Sequence, residues 1–310
     1  DSQGGLAPDS YLQLSTSLFE YESGPCRSAA SRAVRDGVAL YAATSDTTVK
    51  ALQELYATSL PPKVDMSLLK NRRAAAANKQ PDDKFVRTRL CIAVALESIG
   101  TLRGEGASMD LFVDIIRFLC STAVTDPSFA VRQAVVKAGK ELINAVGELY
   151  DPASLLTFFE KELKAPADKA LSEDEQDYRH ECLVILLGTT GKYLKKDIDT
   201  LTSIIKLLVK ELTTPSETVQ EAVADCLVPL VQVVKETDLA KDTLELLLSD
   251  VTSAASYGDR RGAAFGIGAF VKGMGIAVLK GHNIVNRLKE AAEKGTPQSR
   301  QGALGAFECL

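Results

Sequence analysis

Apolar residues fall on one helical face through most of the chain. Behind the turn at 126–130, Val131, Ala134, Val135, Ala138, Leu142 and Val146 stand at offsets 0, 3, 4, 7, 11 and 15. That is the stripe of one α-helix buried along a single side. Behind the turn at 213–218, the same six offsets hold Val219, Ala222, Val223, Cys226, Leu230 and Val234. Weaker copies begin at Val86, Tyr178, Arg260 and Arg300, so six anchors follow one another at intervals of 45, 47, 41, 41 and 40 residues. A second stripe lies between anchors, as in Phe112, Ile115, Ile116, Leu119 and Ala123. Leu201, Ile204, Ile205, Leu208 and Leu212 repeat it, as do Leu244, Leu247, Leu248 and Val251. No run of residues alternates strictly between apolar and polar, so the pattern predicts essentially no β-sheet.

A period of 40–47 residues with two helices per period is that of HEAT repeats; armadillo units share the period but need room for a third helix. The expected fold is therefore all-α, a HEAT-repeat α-solenoid of six to seven helix pairs in a right-handed superhelical array. Pro127, Pro215 and Pro297 sit in turns near the start of a second helix, where a missing N–H costs nothing. Pro229 falls inside a predicted second helix, where it removes one intrahelical bond and is expected to kink it. Residues 81–310 carry the regular repeats. Residues 1–80 are less regular: helices are expected over Arg27–Ala43 and Asp46–Leu60, with an exposed loop near 71–83. The final GALGAFECL reads as an apolar helix without a polar capping face. The expectation is one continuous solenoid cut from a longer chain.

Net charge is −5 with 45% hydrophobic residues, which does not point to wholesale nucleic-acid binding. Any such contact has to come from a local basic cluster. No apolar stretch is long enough to span a membrane. The six cysteines form no CxxC pair and lie scattered, several in apolar helical runs, which favours buried free thiols over a zinc site or disulfide framework. The stretch Leu186–Leu194 imitates a phosphate loop but has Leu186 and Tyr193 where the motif needs glycine and Ser/Thr. Gly266 and Gly268 could open a dinucleotide fingerprint, yet Val271 replaces its third glycine and no strand precedes it. Close helix packing accounts better for Gly262, Gly266 and Gly268. His180 and His282 have no second ligand at metal spacing. No cofactor, metal or small-molecule substrate is expected, and no enzymatic activity.

Two basic clusters remain as candidate contacts: Arg260, Arg261 and Lys272 around the glycine-rich helix, and Lys192, Lys195 and Lys196 in a predicted turn. Arginines at repeat anchors (Arg132, Arg179, Arg261) also suit a structural ladder, each tied to a neighbouring Asp. The turn lysines are freer to meet phosphate.

Three segments carry a more specific signal. GDRRGAAFGIGAFVKGMGIAVLK (Gly258–Lys280), TTPSETVQEAVADCLVPLV (Thr213–Val231) and RQGALGAFE (Arg300–Glu308) resemble the very large HEAT-repeat proteins that activate the general-control translation kinase, in the same order and spacing. The resemblance covers about residues 81–310. Arg261 and Phe265 stand where the family often has Lys and Tyr. The resemblance implies a cytoplasmic, non-catalytic scaffold segment from the part similar to elongation factor three. It implies contact with the ribosome, through ribosomal RNA or stalk proteins, and with an ATP-binding-cassette partner. The kinase would be bound elsewhere in the parent chain. The competing reading is a generic HEAT adaptor of the transport-receptor or phosphatase-scaffold type.

Overall fold

The computed structural model describes residues 6–61, 83–102, 108–149, 151–194 and 197–310. Fifteen α-helices and no strand occur among them. The loop expected near 71–83 lies almost wholly outside the described residues, as do Lys195 and Lys196. The chain divides into two compact units, 1–151 and 152–310.

The first unit contains α1 (Pro8–Ser17), α2 (Gly24–Leu40), α3 (Ser45–Thr58), α4 (Asp83–Ile99), α5 (Met109–Ser121) and α6 (Phe129–Val146). They pair as α1/α2, α3/α4 and α5/α6, and the second helices stack in the order α2, α4, α6. The second unit contains α7 (Ala153–Lys164), α8 (Glu173–Gly191), α9 (Ile198–Glu211), α10 (Glu217–Val234), α11 (Asp238–Ser253) and α12 (Tyr257–Met274). It continues through a five-residue α13 (Ala277–Gly281), α14 (Ile284–Lys294) and α15 (Pro297–Cys309). Here the pairs are α7/α8, α9/α10, α11/α12 and α14/α15, and α8, α10, α12 and α15 stack in turn. The fold is the all-α HEAT architecture that the period requires, with seven pairs among the described residues.

All six anchors fall in the first or second turn of a second helix, from Val86 in α4 to Arg300 in α15. Their stripes are the core: Val131, Val135, Ala138 and Leu142 are fully buried, and so are Val219, Val223 and Val234. The first-helix stripes bury with them, as Phe112, Ile115 and Leu119 do in α5. The helix starts have local causes. Ser172 and Glu175 form a reciprocal capping box at α8, so the acidic run after Ser172 is a helix N-terminus. Gly191 ends that helix, which places the phosphate-loop look-alike on a helix rather than in a loop. Pro229 lies inside α10, which continues to Val234. Gly275, with φ at 95°, stops α12 in a backbone conformation that favours glycine.

Candidate interaction surface

The candidate residues of the glycine-rich helix do not share one fate. Arg260 is buried, with its guanidinium turned into the junction between α12 and α15. It donates to the carbonyls of Ala254 and Ala255 at 2.9 and 3.0 Å and to Gln301 Oε1 at 3.0 Å. Its Nε has no hydrogen-bond partner. Arg261 is largely covered. It donates to Gln220 Oε1 at 2.8 Å, to Glu217 at 3.0 Å and to the Pro215 carbonyl at 2.8 Å, with Tyr257 beneath its guanidinium. Both arginines therefore tie neighbouring repeats together. Lys272 is exposed near the C-terminal end of α12, and Lys192 is exposed just after α8.

Glycine makes these junctions possible. A Cβ on Gly262 would lie 1.8 Å from the carbonyl oxygen of Leu212, and one on Gly302 would lie 1.8 Å from that of Val251. A Cβ on Gly268 would meet the backbone of Cys309 at 2.7 Å. The glycine spacing of α12 is thus set by helix contact, as the pattern suggested.

The anchor arginines form no uniform ladder to aspartate. Arg132 donates to the backbone carbonyl of Asp126 at 2.7 Å, while Arg179 pairs with Glu162. The buried Arg–Asp pair lies at Arg89 and Asp126, a position the anchor alignment does not single out. Arg89 Nε donates to Asp126 Oδ2 at 2.6 Å, and both side chains are completely buried. Arg89 also reaches the Ser59 carbonyl at 2.5 Å, and the Tyr56 hydroxyl donates to Asp126 at 2.5 Å. Burial and the adjacent carboxylate push the Tyr56 phenol well above its ordinary value. Gln220, also fully buried, plays the matching part in the second unit, donating to Leu212, Thr214 and Gly258 carbonyls at 2.7–2.9 Å. The sequence clue to Asp126 was the Asp-Pro turn before Val131; nothing comparable flags Gln220.

Both histidines make inter-helix pairs, His180 with Glu211 at 2.7 Å and His282 with Glu245 at 2.6 Å. No cluster of three metal-ligating side chains occurs among the described residues, and no helix there is long and apolar enough to cross a membrane. None of the six cysteines is in a disulfide: Cys91, Cys120 and Cys182 are buried, Cys226 and Cys309 half-buried, and Cys26 exposed.

A family model described as stalled ribosome sensor GCN1, HEAT repeats, matches residues 3–192. The match takes in the N-terminal part, where no motif had pointed to a family. Among curated relatives, protein ILITYHIA of Arabidopsis thaliana is 36% identical over 197 residues, 63% of this chain and 7% of its own length. The stalled ribosome sensor GCN1 of Homo sapiens is 31% identical over 309 residues, 98% of this chain and 11% of that protein. The eIF-2-alpha kinase activator GCN1 of Saccharomyces cerevisiae is 32% identical over 239 residues, 76% of this chain and 8% of its own. The chain thus spans roughly a tenth of the length of these relatives, and the family model alone covers more than half of it: it belongs to the family of GCN1 HEAT-repeat proteins.

Proposed function

We propose that this chain is a non-catalytic scaffold segment of a cytoplasmic, ribosome-associated activator of the eIF-2-alpha kinase. It contributes to binding the ribosome, an ATP-binding-cassette partner protein, or both, while the kinase is held by another part of the parent chain. The observation that carries the reading is the family match, because a relative aligned along 98% of the chain is named for sensing stalled ribosomes and one aligned along 76% for activating that kinase. The architecture suits such a role. Each repeat contacts only its neighbours, so a long array presents many modest contacts that add along its length.

Of the candidate contacts, Lys192 and Lys272 remain available to a partner, whereas Arg260 and Arg261 are held by the fold. Co-sedimentation with ribosomes over a salt series tests the reading. Binding should weaken as salt rises and fall further in a Lys192→Glu/Lys272→Glu variant. No pelleting at low salt by protein that is helical by circular dichroism would overturn the ribosome contact for this segment and leave it a spacer or a platform for a protein partner.

A further inference from the structure

Charge in the first unit is sorted by layer. Two of its second helices are basic: α2 sets Arg27, Arg32 and Arg35 against Asp36, and α6 sets Arg132, Lys137 and Lys140 against Glu141, while α4 between them sets Lys84 and Arg87 against Asp83 and Glu97 and spends Arg89 on Asp126. Its first helices are acidic, with Asp46 and Glu54 against Lys50 in α3 and Asp110 and Asp114 against Arg117 in α5. The second unit does not repeat this: α8 and α10 are strongly acidic, and Arg260 and Arg261 of α12 are consumed at junctions.

The two basic helices both pack on α4. Ser31 of α2 donates to the Cys91 carbonyl of α4 at 3.2 Å, and Lys137 of α6 reaches Glu97 of α4 at 3.2 Å. Arg32, beside Ser31, and Lys140, one turn beyond Lys137, therefore flank α4 on the same stacked layer. Both are exposed and without a hydrogen-bond or ion-pair partner among the described residues. Two exposed aromatics accompany the cations in the first turns of the stacked helices. Phe85 of α4 lies under Lys84 at 4.9 Å and Phe129 of α6 under Arg132 at 5.7 Å, with Phe129 64% exposed.

We infer that the α2–α4–α6 face of the first unit binds RNA, the cations taking backbone phosphates and Phe129 and Phe85 offering stacking platforms for unpaired bases. An acidic peptide would use the cations but gains nothing specific from flat, cation-capped rings, so the aromatics favour RNA. The inference rests on the ribosome-associated reading and names the chemistry of one contact within it.

The test is fluorescence anisotropy of the whole chain with a labelled single-stranded RNA of about 20 nucleotides, at several salt concentrations. Three variants are compared after circular dichroism shows native helicity: Arg32→Glu/Lys140→Glu, Phe129→Ala, and the charge-matched Lys161→Glu/Lys206→Glu on α7 and α9. Binding should fall more than about tenfold for the first, with a shallower salt dependence, and about fivefold or more for Phe129→Ala. The α7/α9 variant should change it less than about threefold. Equal losses in the two charge variants would reduce the effect to net charge and overturn the inference. So would absent binding at low salt, or displacement of the RNA by polyglutamate at equal charge. Ribosome pelleting without RNA binding would leave the proposed function standing and remove this surface; RNA binding without pelleting would do the reverse.

Discussion

Removing the Asp126 carboxylate should destabilise the first unit more than any surface change. The side chain is wholly buried and accepts from Arg89 at 2.6 Å, from Tyr56 at 2.5 Å and from the Ser128 N–H at 2.8 Å. In Asp126→Ala the Arg89 guanidinium keeps the Ser59 carbonyl but loses the carboxylate that neutralises it, in a site closed to solvent. Breaking one side of a buried pair costs about 3–5 kcal/mol, most of it the penalty of the stranded ion. Replacing both partners by apolar residues avoids that penalty. Arg89→Met/Asp126→Leu should therefore lose only about 1–3 kcal/mol, chiefly from the Ser59 carbonyl and Ser128 N–H left unpaired. Urea unfolding followed by circular dichroism gives the three stabilities, and hydrogen exchange gives their location. Protection should fall in α3–α6 and persist in α8–α15. A loss below about 1 kcal/mol in Asp126→Ala, or a double variant as unstable as the sum of its singles, would refute the claim that a paired buried charge joins these repeats.

Four other outcomes follow from the junctions and the titrating groups. Gly262→Ala should destabilise despite the roughly 1 kcal/mol of helix propensity it gains, because the new methyl would sit 1.8 Å from a Leu212 oxygen that Gln220 already holds. Gly281→Ala, with nothing within 4 Å, should be neutral or slightly stabilising in the same urea experiment. Hydrogen bonds from His282 hold the Glu245 carboxyl below its ordinary value of 4.5, with Arg287 adding to the effect. A depressed folded value stabilises above the unfolded value and is lost as pH falls through the folded one, so Glu245→Gln should flatten the melting-temperature profile below about pH 4.5. Thiol reagents should label Cys26 first in the native protein, while Cys91, whose thiol burial pushes up to about 11, reacts only after denaturation; prompt labelling of Cys91 would contradict its placement.

The architecture was legible because a helix that buries one side must repeat its apolar residues at fixed offsets, and six anchors 40–47 residues apart leave few alternatives. The glycines of α12 were legible for a related reason, since Gly262, Gly266 and Gly268 on one helix without a strand before them need a close neighbour. Charge was less informative. Arg260, Arg261 and Lys272 look alike in sequence, and only packing separates two repeat-joining guanidiniums from one exposed ammonium. The sequence cannot reveal that separation because burial of these arginines depends on acceptors a whole repeat away, Gln301 for Arg260 and the Pro215 carbonyl for Arg261.

The same logic explains why this part of the family motif is so specific. Arg260 and Arg261 each need an acceptor in a different neighbouring repeat, Gln301 about one period ahead and Gln220 about one period behind. Gly262 must then follow at once, because the Leu212 carbonyl that Gln220 engages leaves no room for a side chain. Changing Arg260 strands partners in its own repeat and the next, and changing Arg261 or Gly262 disturbs the repeat behind, so sequence and junction geometry are locked together across three helix pairs. A recognisable motif in a solenoid therefore marks where repeats are fastened to one another. Partner contacts have to be sought on the exposed faces between such fastenings, where residues such as Lys272, Arg32 and Lys140 are free of structural duty.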